Sequence, residues 1–477
     1  MNILYLASEV APFSKTGGLA DVAGALPATL ASLGHQVTVV TPLYREVRDD
    51  RIRPLDLQIR LRFPFGTQSG RLHSAQVAPG HQVVFLEHPG FFDREGLYQR
   101  GGVDHPDNDR RFAFLSIGAL ASAQRMGLEP QIVHLNDWQT GLAAVALATG
   151  YRATSLGSTK SLFTIHNLAY QGLFPRSSMA DLGVPWSLYT PDQVEFYDRI
   201  NFLKAGLVFS DALSTVSPTY AREIQTPQLG CGLDGLLRKR SADLHGILNG
   251  INVKEWSPGE DPLIPARFTA EDLSGKKRCK KELLGFFGLS DQGAPLFGMV
   301  SRVVVQKGLD ILLAALPKVL EEEDLQVVVL GSGDAAYESA LQSLAARYPR
   351  KLAVKIGFDR KLSHWIEAGS DFFLMPSRYE PCGLSQMYSL RYGTIPIVRA
   401  TGGLQDSVED LSSPEGTGVK FTEYSALALG TAIARGIELY RHPRELSAVR
   451  RRGMAKDFSW TASARRYEAL YRSLVDR

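Results

Sequence analysis

The chain has 477 residues, of which 44% are hydrophobic and 22% charged, and its formal net charge at pH 7 is +3. This length is too great for one compact core and predicts two domains of about 200 to 250 residues. The small net charge gives no reason to expect nucleic acid or an anionic membrane surface as a partner.

The cysteines and the apolar runs indicate where the protein works. The three cysteines are far apart in the sequence (Cys231, Cys279 and Cys382), which is typical of a reducing compartment. No cluster of histidine and cysteine has metal-site spacing, so we expect no bound metal. The first residues form an apolar strand pattern without a basic leader, and the longest apolar runs are shorter than the roughly 20 residues of a membrane span. We therefore expect a soluble, cytoplasmic protein.

In the first half of the chain, short apolar runs alternate with amphipathic segments, which predicts a doubly wound α/β domain around a parallel sheet. The predicted strands are residues 3–7, 37–40, 83–86, 132–135, 162–165 and 212–216. The predicted helices are residues 19–33, 109–126 and 192–209. Residues 55–63 alternate apolar and polar side chains, which predicts an antiparallel hairpin or edge strand.

The pattern is interrupted at residues 249–270, which contain three prolines and little periodicity and therefore suggest a linker. It resumes with predicted strands at residues 296–300, 327–330, 352–356, 372–375, 395–398 and 419–421, and with helices at 308–320, 385–392 and 460–474. We expect an N-terminal Rossmann-like domain at 1–248, a second one at 271–456 and a C-terminal helix at 457–477.

A short motif occurs twice. Lys15-Thr16-Gly17-Gly18-Leu19-Ala20-Asp21 and Thr401-Gly402-Gly403-Leu404-Gln405-Asp406 each follow an apolar run and precede a predicted helix. Paired glycines at such a turn leave backbone N–H groups open to a phosphate or a sugar hydroxyl. A tight turn alone would explain one copy. Two copies favour two nucleotide-binding folds that face one cleft.

Polar residues also follow most of the predicted strands. They are Asn136-Asp137-Trp138, His166-Asn167, Ser301-Arg302, Lys307-Gly308 and the run Pro376-Ser377-Arg378-Tyr379-Glu380-Pro381-Cys382-Gly383-Leu384. Ligands of open α/β sheets bind beyond the carboxyl ends of the strands. The pattern therefore indicates a ligand site and not a purely structural protein.

Among these residues, Arg302 and Lys307 form the sharpest pair, because a strand, a short turn and a helix start would bring both cations to one diphosphate. Lys15 is a further candidate cation, although all three could be solvated surface residues. Glu380 could stabilise positive charge at an anomeric carbon, or it could only interact with a helix dipole. Cys382 is more readily a packed neighbour than a nucleophile.

Other candidates have similar alternatives. His166 could bind a sugar hydroxyl or be a core histidine. Asp137 and Asp21 could be helix caps, although Asp21 follows a helix that has already begun. Tyr98, in an aromatic loop at residues 88–110, could stack on a sugar or a base or equally fill the core, and Phe358, after a strand, could stack on a base.

Taken together, the motif around Lys15, the run His166-Asn167-Leu168-Ala169-Tyr170-Gln171-Gly172, the Arg302 and Lys307 segments, the run 376–384 and the Thr401 turn resemble bacterial glycogen synthases and plant starch synthases. The match covers the whole chain in order. The resemblance implies a retaining glucosyltransferase of the GT-B type, with two Rossmann-like domains across a deep cleft. Its members move glucose from ADP-glucose to the non-reducing 4-hydroxyl of an α-1,4-glucan without a metal or other cofactor.

The resemblance also implies residue roles. Arg302, Lys307 and Lys15 act on the diphosphate, and Glu380 and His166 belong with them in the catalytic set. The residues implied to bind substrate are Gly17, Gly18, Asp21, Tyr98, Asp137, Asn167, Asn249, Phe358, Cys382, Gly383, Leu384, Thr401, Gly402 and Gly403. Phe358 stands where relatives often have a tyrosine that stacks on adenine. In this family the last helix crosses back onto the first domain.

Three other hypotheses remain at this point: a transferase using a UDP-sugar and a small or lipid acceptor, a phosphorylase, and a glucan-binding protein without chemistry. The phosphorylase lacks a candidate cofactor-bearing lysine, and the non-enzymatic protein is disfavoured because Lys15, Arg302, Lys307 and Glu380 are all present. The sequence leaves open the donor base, allosteric control and whether the chain forms a homo-oligomer.

Overall fold

The computed structural model describes residues 1–476. They form two compact units. The first contains Met1–Val216, Ala221–Ile247 and the C-terminal helix Trp460–Val475, and the second contains Ser217–Tyr220 and Leu248–Ser459.

The first unit is built on a sheet of nine strands within residues 1–476. Their order is Leu244–Gly246, Ala212–Thr215, Lys160–Ile165, Ile132–Asn136, Asn2–Leu6, Gln36–Pro42, His81–Glu87, Gly66–Ala78 and Arg53–Phe63. The strands up to His81–Glu87 are parallel, and the last two form an antiparallel hairpin at the edge. The six predicted parallel strands and the predicted hairpin are thus confirmed.

Helices cover the central strands, which explains why those strands read as continuous apolar runs. The helices within residues 1–247 are Gly18–Ser32, Pro89–Phe92, Asn108–Arg125, Gly141–Thr149, Ser178–Leu182, Phe202–Phe209, Pro218–Glu223 and Asp234–Lys239. Single 3₁₀ turns lie at Trp138–Thr140, Trp186–Leu188 and Ser241–Asp243. Two small sheets are also present. One pairs Gln99–Arg100 with Val103–Asp104, and in the other Arg199–Asn201 lies between Leu173–Pro175 and Glu195–Phe196.

The predicted helix at 192–209 is wrong over its first half. Tyr197 and Asp198 have φ angles of 50° and 59°, and this left-handed pair turns the chain between two antiparallel strands. The helix begins only at Phe202, where the side chain of Asn201 accepts a hydrogen bond of 2.8 Å from the backbone N–H of Lys204. A local turn and a cap therefore override the helical periodicity.

The second unit is built on six parallel strands within the described residues. Their order is Leu352–Ile356, Gln326–Gly331, Leu296–Val300, Phe372–Met375, Ile395–Arg399 and Val419–Phe421, which confirms the predicted strands. Its helices are Ser274–Phe286, Leu309–Glu322, Ala335–Arg347, Arg360–Gly369, Ser385–Arg391, Gly402–Ser407, Ala426–Tyr440 and Pro443–Met454. A 3₁₀ turn lies at Val305–Lys307.

The proline-containing segment 249–270 packs into the body of the second unit. The ring of Trp256 is stacked between His364 and Tyr388, with centroids 3.9 and 3.8 Å away. The buried carboxylate of Asp261 accepts hydrogen bonds from Tyr392 and from the Nδ1 atom of His364. These contacts hold the segment against the unit although it lacks regular helices.

The C-terminal helix Trp460–Val475 packs in the first unit, against the helix Gly18–Ser32. Its buried face includes Tyr467 and Tyr471, and the hydroxyl of Tyr471 lies 2.7 Å from the Nδ1 atom of His134. Among residues 1–476, no helix combines the length and the apolar character needed to cross a bilayer.

Candidate functional site

The first glycine turn links the strand Asn2–Leu6 to the helix Gly18–Ser32. Gly17 is the N-cap, with extended backbone at φ −151°. A Cβ added at Gly18 would have no heavy atom within 4 Å, so no neighbouring protein group requires a glycine there. The open side of the turn is instead suited to close approach by a ligand.

Glu9, which the sequence analysis missed, holds this turn. Its buried carboxylate accepts hydrogen bonds from the backbone N–H and hydroxyl of Thr16 and, at 3.4 Å, from the N–H of Gly17. Burial raises the pKa of Glu9, and the bonds from Thr16 and Gly17 oppose that rise. Its position after the first strand, beside the polar edge, was the signal that could have identified it.

Lys15 precedes the turn and carries an exposed ammonium group. Its Nζ atom lies 2.6 Å from Oδ1 of Asp21, in the first turn of the helix. Exposed pairs of this kind are weak. The ammonium can therefore exchange Asp21 for a phosphate oxygen.

Asp137 and His166 come together at the carboxyl ends of two adjacent strands of the first unit. Oδ1 of Asp137 accepts a 2.7 Å hydrogen bond from the backbone N–H of His166, and the carboxylate also accepts one from the N–H of Asn167. Burial raises the pKa of Asp137 to about 7, with these two bonds opposing the rise. The φ angle of Asp137 is 53°, an unusual value for a non-glycine residue and one found at functional sites. The carboxyl group of Asp137 therefore titrates near neutral pH.

The imidazole of His166 is held in one form by Asn136. Nδ2 of Asn136 donates to the carbonyl of Leu6 at 2.9 Å, which turns its Oδ1 towards Nε2 of His166, also at 2.9 Å. Because that oxygen only accepts, Nε2 must carry the proton. Burial lowers the pKa of His166 to about 3. The ring is therefore neutral at pH 7, with Nδ1 as an acceptor.

Tyr98 reaches the same region of the first unit, and its hydroxyl lies 2.7 Å from Oγ of Ser8. Burial and the nearby Glu9 raise the pKa of Tyr98, so the hydroxyl stays protonated. Phe91 and Phe92, in the same aromatic loop, are buried in the core.

In the second unit, Lys307 and Glu380 form a nearly buried ion pair. Nζ of Lys307 lies 2.6 Å from Oε2 of Glu380, whose side chain is 7% exposed. The hydroxyl of Ser377 donates to the same oxygen at 2.9 Å. Gly308 makes this approach possible, because its φ is 76° and a Cβ there would lie 2.0 Å from the carbonyl oxygen of Pro376. Two of the catalytic candidates are therefore in direct contact.

Arg302 is joined to the same loop through Gln306, another residue that the sequence analysis missed. Its guanidinium donates to Oε1 of Gln306 at 3.0 Å. The backbone carbonyl oxygen of Gln306 in turn accepts a hydrogen bond of 2.8 Å from the backbone N–H of Arg378. Arg302 and Lys307, the two cations predicted to bind a diphosphate, thus border the loop that carries Glu380.

The second glycine turn supports that loop from behind. A Cβ at Gly402, where φ is 44°, would lie 1.9 Å from the carbonyl oxygen of Glu380, and one at Gly403 would lie 1.9 Å from that of Cys382. The N–H of Gly403 donates to the carbonyls of Glu380 and Pro381. The expected role of Gly403 as a donor to a ligand therefore competes with an internal bond, and close packing is the reason for glycine here. Thr401 is the N-cap of the helix that follows.

Cys382 is buried beside this turn, and burial raises the pKa of its thiol to about 12. A thiol with this pKa is protonated at pH 7 and does not act as a nucleophile. Asn249 donates its backbone N–H to Cys382, and its buried Oδ1 has no hydrogen-bond partner among residues 1–476. That oxygen is available to a ligand. Gly383, at φ 68°, and Leu384 lead into the helix Ser385–Arg391.

Phe358 differs from the other candidates of the second unit, because its side chain stands in solvent. It follows the strand Leu352–Ile356 and is 90% exposed. A solvated aromatic ring at a strand end is a suitable stacking surface. Within residues 1–476, no group of three or more His, Cys, Asp or Glu side chains is arranged to hold a metal ion.

Two family models and curated relatives match the chain. Residues 2–239 match the family model of the starch synthase catalytic domain, and residues 281–452 match that of glycosyl transferases group 1. The chain is 59% identical to a glycogen synthase of Myxococcus xanthus and 52% identical to one of Anaeromyxobacter dehalogenans, in both cases over 100% of both chains.

A solved structure is also similar along the whole chain. It is the catalytic domain of starch synthase IV from Arabidopsis thaliana bound to ADP and acarbose, with 35% identity, a TM-score of 0.91 and coverage of 100% of this chain and 99% of that one. Sequence and fold agree along the chain, which belongs to the family of bacterial glycogen synthases and plant starch synthases, and these are glucosyltransferases.

Proposed function

We propose that this protein transfers glucose from ADP-glucose to the non-reducing 4-hydroxyl of an α-1,4-glucan, with retention of configuration and release of ADP. The proposal rests above all on the Lys307–Glu380 pair, a cation and a carboxylate held together in the loop 376–384. The similarity to a starch synthase bound to ADP and acarbose supports a nucleotide donor and a glucan acceptor.

The cations of the second unit are assigned to the leaving diphosphate. One N–H of Lys307 is directed at Glu380, so the other two can reach phosphate oxygens. Arg302 adds a planar donor that suits a phosphate. Neutralising the charge that develops on the leaving group stabilises the transition state. In this proposal residues 271–456 bind the donor, and Phe358 stacks on its base.

Glu380 and the groups of the first unit are assigned to the sugars. The carboxylate of Glu380 faces the positive charge that develops at the anomeric carbon, while Asp137 and the neutral His166 accept hydroxyl hydrogens. Lys15 also binds the diphosphate of the bound donor. Its side chain then helps to exclude water that would hydrolyse the donor. The leaving phosphate takes the proton of the incoming 4-hydroxyl on the same face, so the new bond keeps the α configuration.

An assay of donor and acceptor tests the proposal. Purified protein is given ADP-glucose or UDP-glucose, each with and without glycogen, and both ADP or UDP release and glucose incorporation are measured. We expect rapid transfer only with ADP-glucose and glycogen, and an α-linked first product by proton NMR. Transfer from UDP-glucose to a small acceptor instead would overturn the assignment.

The same assay in EDTA tests the absence of a metal requirement. We expect the transfer rate to be unchanged after chelation, since Arg302, Lys307 and Lys15 supply the charge that a divalent ion provides in other phosphoryl-binding sites. Loss of activity in EDTA with recovery on adding Mg²⁺ would contradict this part of the proposal.

A further inference from the structure

Lys307 and Glu380 come from two different loops of the second unit, and their ion pair needs support from both sides. Lys307 ends the 3₁₀ turn Val305–Lys307, whereas Glu380 lies in the loop 376–384, after the strand Phe372–Met375. A lysine has a flexible four-carbon stem, so the ion pair alone does not fix where the ammonium group lies. The backbone on each side of the pair must be held if the pair is to keep one position.

Arg399 holds the loop that carries Glu380. It is the last residue of the strand Ile395–Arg399, which pairs with the strand preceding the loop. Its Nε atom donates to the carbonyl oxygen of Ser377 at 2.8 Å, and its Nη2 atom donates to the carbonyl oxygen of Arg378. Because one planar group makes both bonds, two consecutive peptide units are fixed relative to each other. The hydroxyl of Ser377 donates to Glu380, so the loop is fixed directly beside the carboxylate.

Tyr424 connects Arg399 to the segment that carries Lys307. Its hydroxyl lies 2.5 Å from Oδ1 of Asp310, in the first turn of the helix that follows Lys307. Burial and the bond to Asp310 raise the pKa of Tyr424, so the hydroxyl keeps its proton and is the donor. The guanidinium carbons of Arg399 and Arg378 lie 5.7 and 5.8 Å from the centre of its ring. One side chain thus contacts groups from both segments.

We propose that Tyr424 and Arg399 are positioning residues for glucosyl transfer, which hold Lys307 and Glu380 in one relative position. The consequence for transfer rests on the proposed function, whereas the effect on the ion pair rests on these contacts alone. Neither residue acts on the reacting atoms, and both act through the backbone that carries the pair. A displacement of about 1 Å between reacting groups can lower a rate by about a hundredfold, so such support matters for turnover.

Tyr424→Phe tests the link to the Lys307 segment, because it removes only the hydroxyl and keeps the aromatic ring. We expect kcat to fall at least about fivefold at saturating ADP-glucose and glycogen. The KM for ADP-glucose should stay within about twofold, since a displaced pair affects the transition state more than donor binding. Tyr348→Phe is the matched control. Tyr348 donates to Glu321 of the same helix, and Arg347 lies over its ring, but this bond is exposed. Its kcat should equal that of the unmodified protein.

Arg399→Lys tests the support of the other loop. Lysine keeps the charge, but a single ammonium group cannot reproduce the two bonds of the guanidinium, so kcat should fall about tenfold or more. Arg435→Lys is the matched control in the same unit. The guanidinium of Arg435 also makes two bonds, to the carbonyl of Lys420 and to Asp410, and its replacement should leave kcat unchanged.

The ammonium group of Lys307 gives a readout that does not depend on turnover. Lysine is labelled with ¹⁵N at Nζ in the full-length protein, and the Lys307 signal is identified by its loss in Lys307→Arg. We expect this signal to shift in Tyr424→Phe and in Arg399→Lys, and to be unchanged in both controls.

A lower melting temperature in Tyr424→Phe and Arg399→Lys, with kcat and the Lys307 signal unchanged, would show that these residues only stabilise the unit and would overturn the proposal. A fall in kcat without a change in the Lys307 signal would overturn it as well, because the effect would not pass through the pair. If the unmodified protein does not turn over ADP-glucose but the Lys307 signal still moves in both variants, the proposed function falls and the positioning of the pair stands.

Discussion

Glu380 holds a negative charge in a nearly buried position, where Lys307 and Ser377 are its partners. Glu380→Gln keeps the shape of the side chain and removes the charge that the proposed function assigns to the anomeric carbon. We expect kcat to fall about a hundredfold or more while the fold is retained. Initial rates at saturating ADP-glucose and glycogen measure kcat, and circular dichroism checks the fold.

The matched control for this change is Glu321→Gln. Glu321 also forms an ion pair in the second unit, with Arg347 at 2.9 Å, but its side chain is exposed. Its kcat should equal that of the unmodified protein. A Glu380→Gln enzyme whose kcat also stays within about tenfold would remove Glu380 from the chemistry.

The raised pKa of Asp137 makes the stability of the folded protein depend on pH. Its folded-state pKa, about 7, is higher than the ordinary value of 3.8 because of burial. The folded protein therefore binds the proton more tightly than the unfolded chain, and the stabilisation is lost as the pH rises from about 4 through 7. Over this range the unmodified protein should lose up to about 4 kcal/mol relative to Asp137→Asn, which does not titrate.

Thermal denaturation at pH 5 and pH 8 tests this expectation for both proteins. The melting temperature of the unmodified protein, relative to that of Asp137→Asn, should be lower at pH 8 than at pH 5. An unchanged difference between the two proteins would show that Asp137 has an ordinary pKa in the folded state.

At the level of single residues, sequence reasoning found side chains whose position follows from strand ends. Four of them come directly after a strand or in the turn beyond it: Lys307, Glu380, Asp137 and His166. Sheet topology alone therefore predicts that they lie at the carboxyl edge of their sheet. Glu9, Gln306 and Asn136 act by bonding to residues that are distant in sequence or to local backbone groups. Their positions after strands place Glu9 and Asn136 at the same edge of the sheet, but no spacing rule identifies the groups they bond to, because the fold decides which loops meet.

At the level of elements, the loop 376–384 and the turn 401–403 act as one packed piece. Gly403→Ala should disturb it, because the new Cβ would lie 1.9 Å from the carbonyl oxygen of Cys382. Displacing that carbonyl also displaces the neighbouring Glu380. We expect kcat to fall by at least about tenfold and the melting temperature to drop, since overpacking of this kind costs about 1–3 kcal/mol.

Gly285→Ala is the matched control for this substitution. Gly285 lies in the helix Ser274–Phe286 of the same unit, and a Cβ there meets no heavy atom within 4 Å. Alanine at that position should leave kcat unchanged and stabilise the helix by about 0.5–1 kcal/mol. Normal kinetics and stability in Gly403→Ala would mean that the turn does not support the loop that carries Glu380.

Elements were predictable where one interaction decided them. Parallel strands that are buried on both faces need runs of apolar residues. These runs located the parallel strands of both sheets along the chain. The segment 192–209 also has helical periodicity, but its outcome depended on the left-handed pair Tyr197 and Asp198, which apolar spacing does not record. The segment 249–270 shows the same limit, because its docking through Trp256 and Asp261 depends on rings and polar groups more than 90 residues away in sequence.

At the level of the whole molecule, the two halves of the sequence each form a doubly wound unit, but the chain does not divide into them at one point. The C-terminal helix belongs with the first unit although about 200 residues of the second precede it. The stability of the first unit therefore depends on a helix that follows the second unit in the sequence. The contact between Tyr471 and His134 joins this helix to the strand Ile132–Asn136, which leads directly to Asp137.

Tyr471→Phe tests whether that helix is a structural part of the first unit. The change removes only the hydroxyl group that lies 2.7 Å from Nδ1 of His134, a buried ring whose pKa is lowered by burial. The nitrogen loses its partner, so the free energy of unfolding should fall by about 1–3 kcal/mol. Amide hydrogen exchange should accelerate in residues 132–136 as well as in the helix.

Tyr189→Phe, which removes a hydroxyl bonded to Asp198 nearer the surface of the same unit, is the control and should leave exchange in residues 132–136 unchanged. Faster exchange confined to the helix would show instead that Trp460–Val475 opens on its own, without supporting the strand that leads to Asp137.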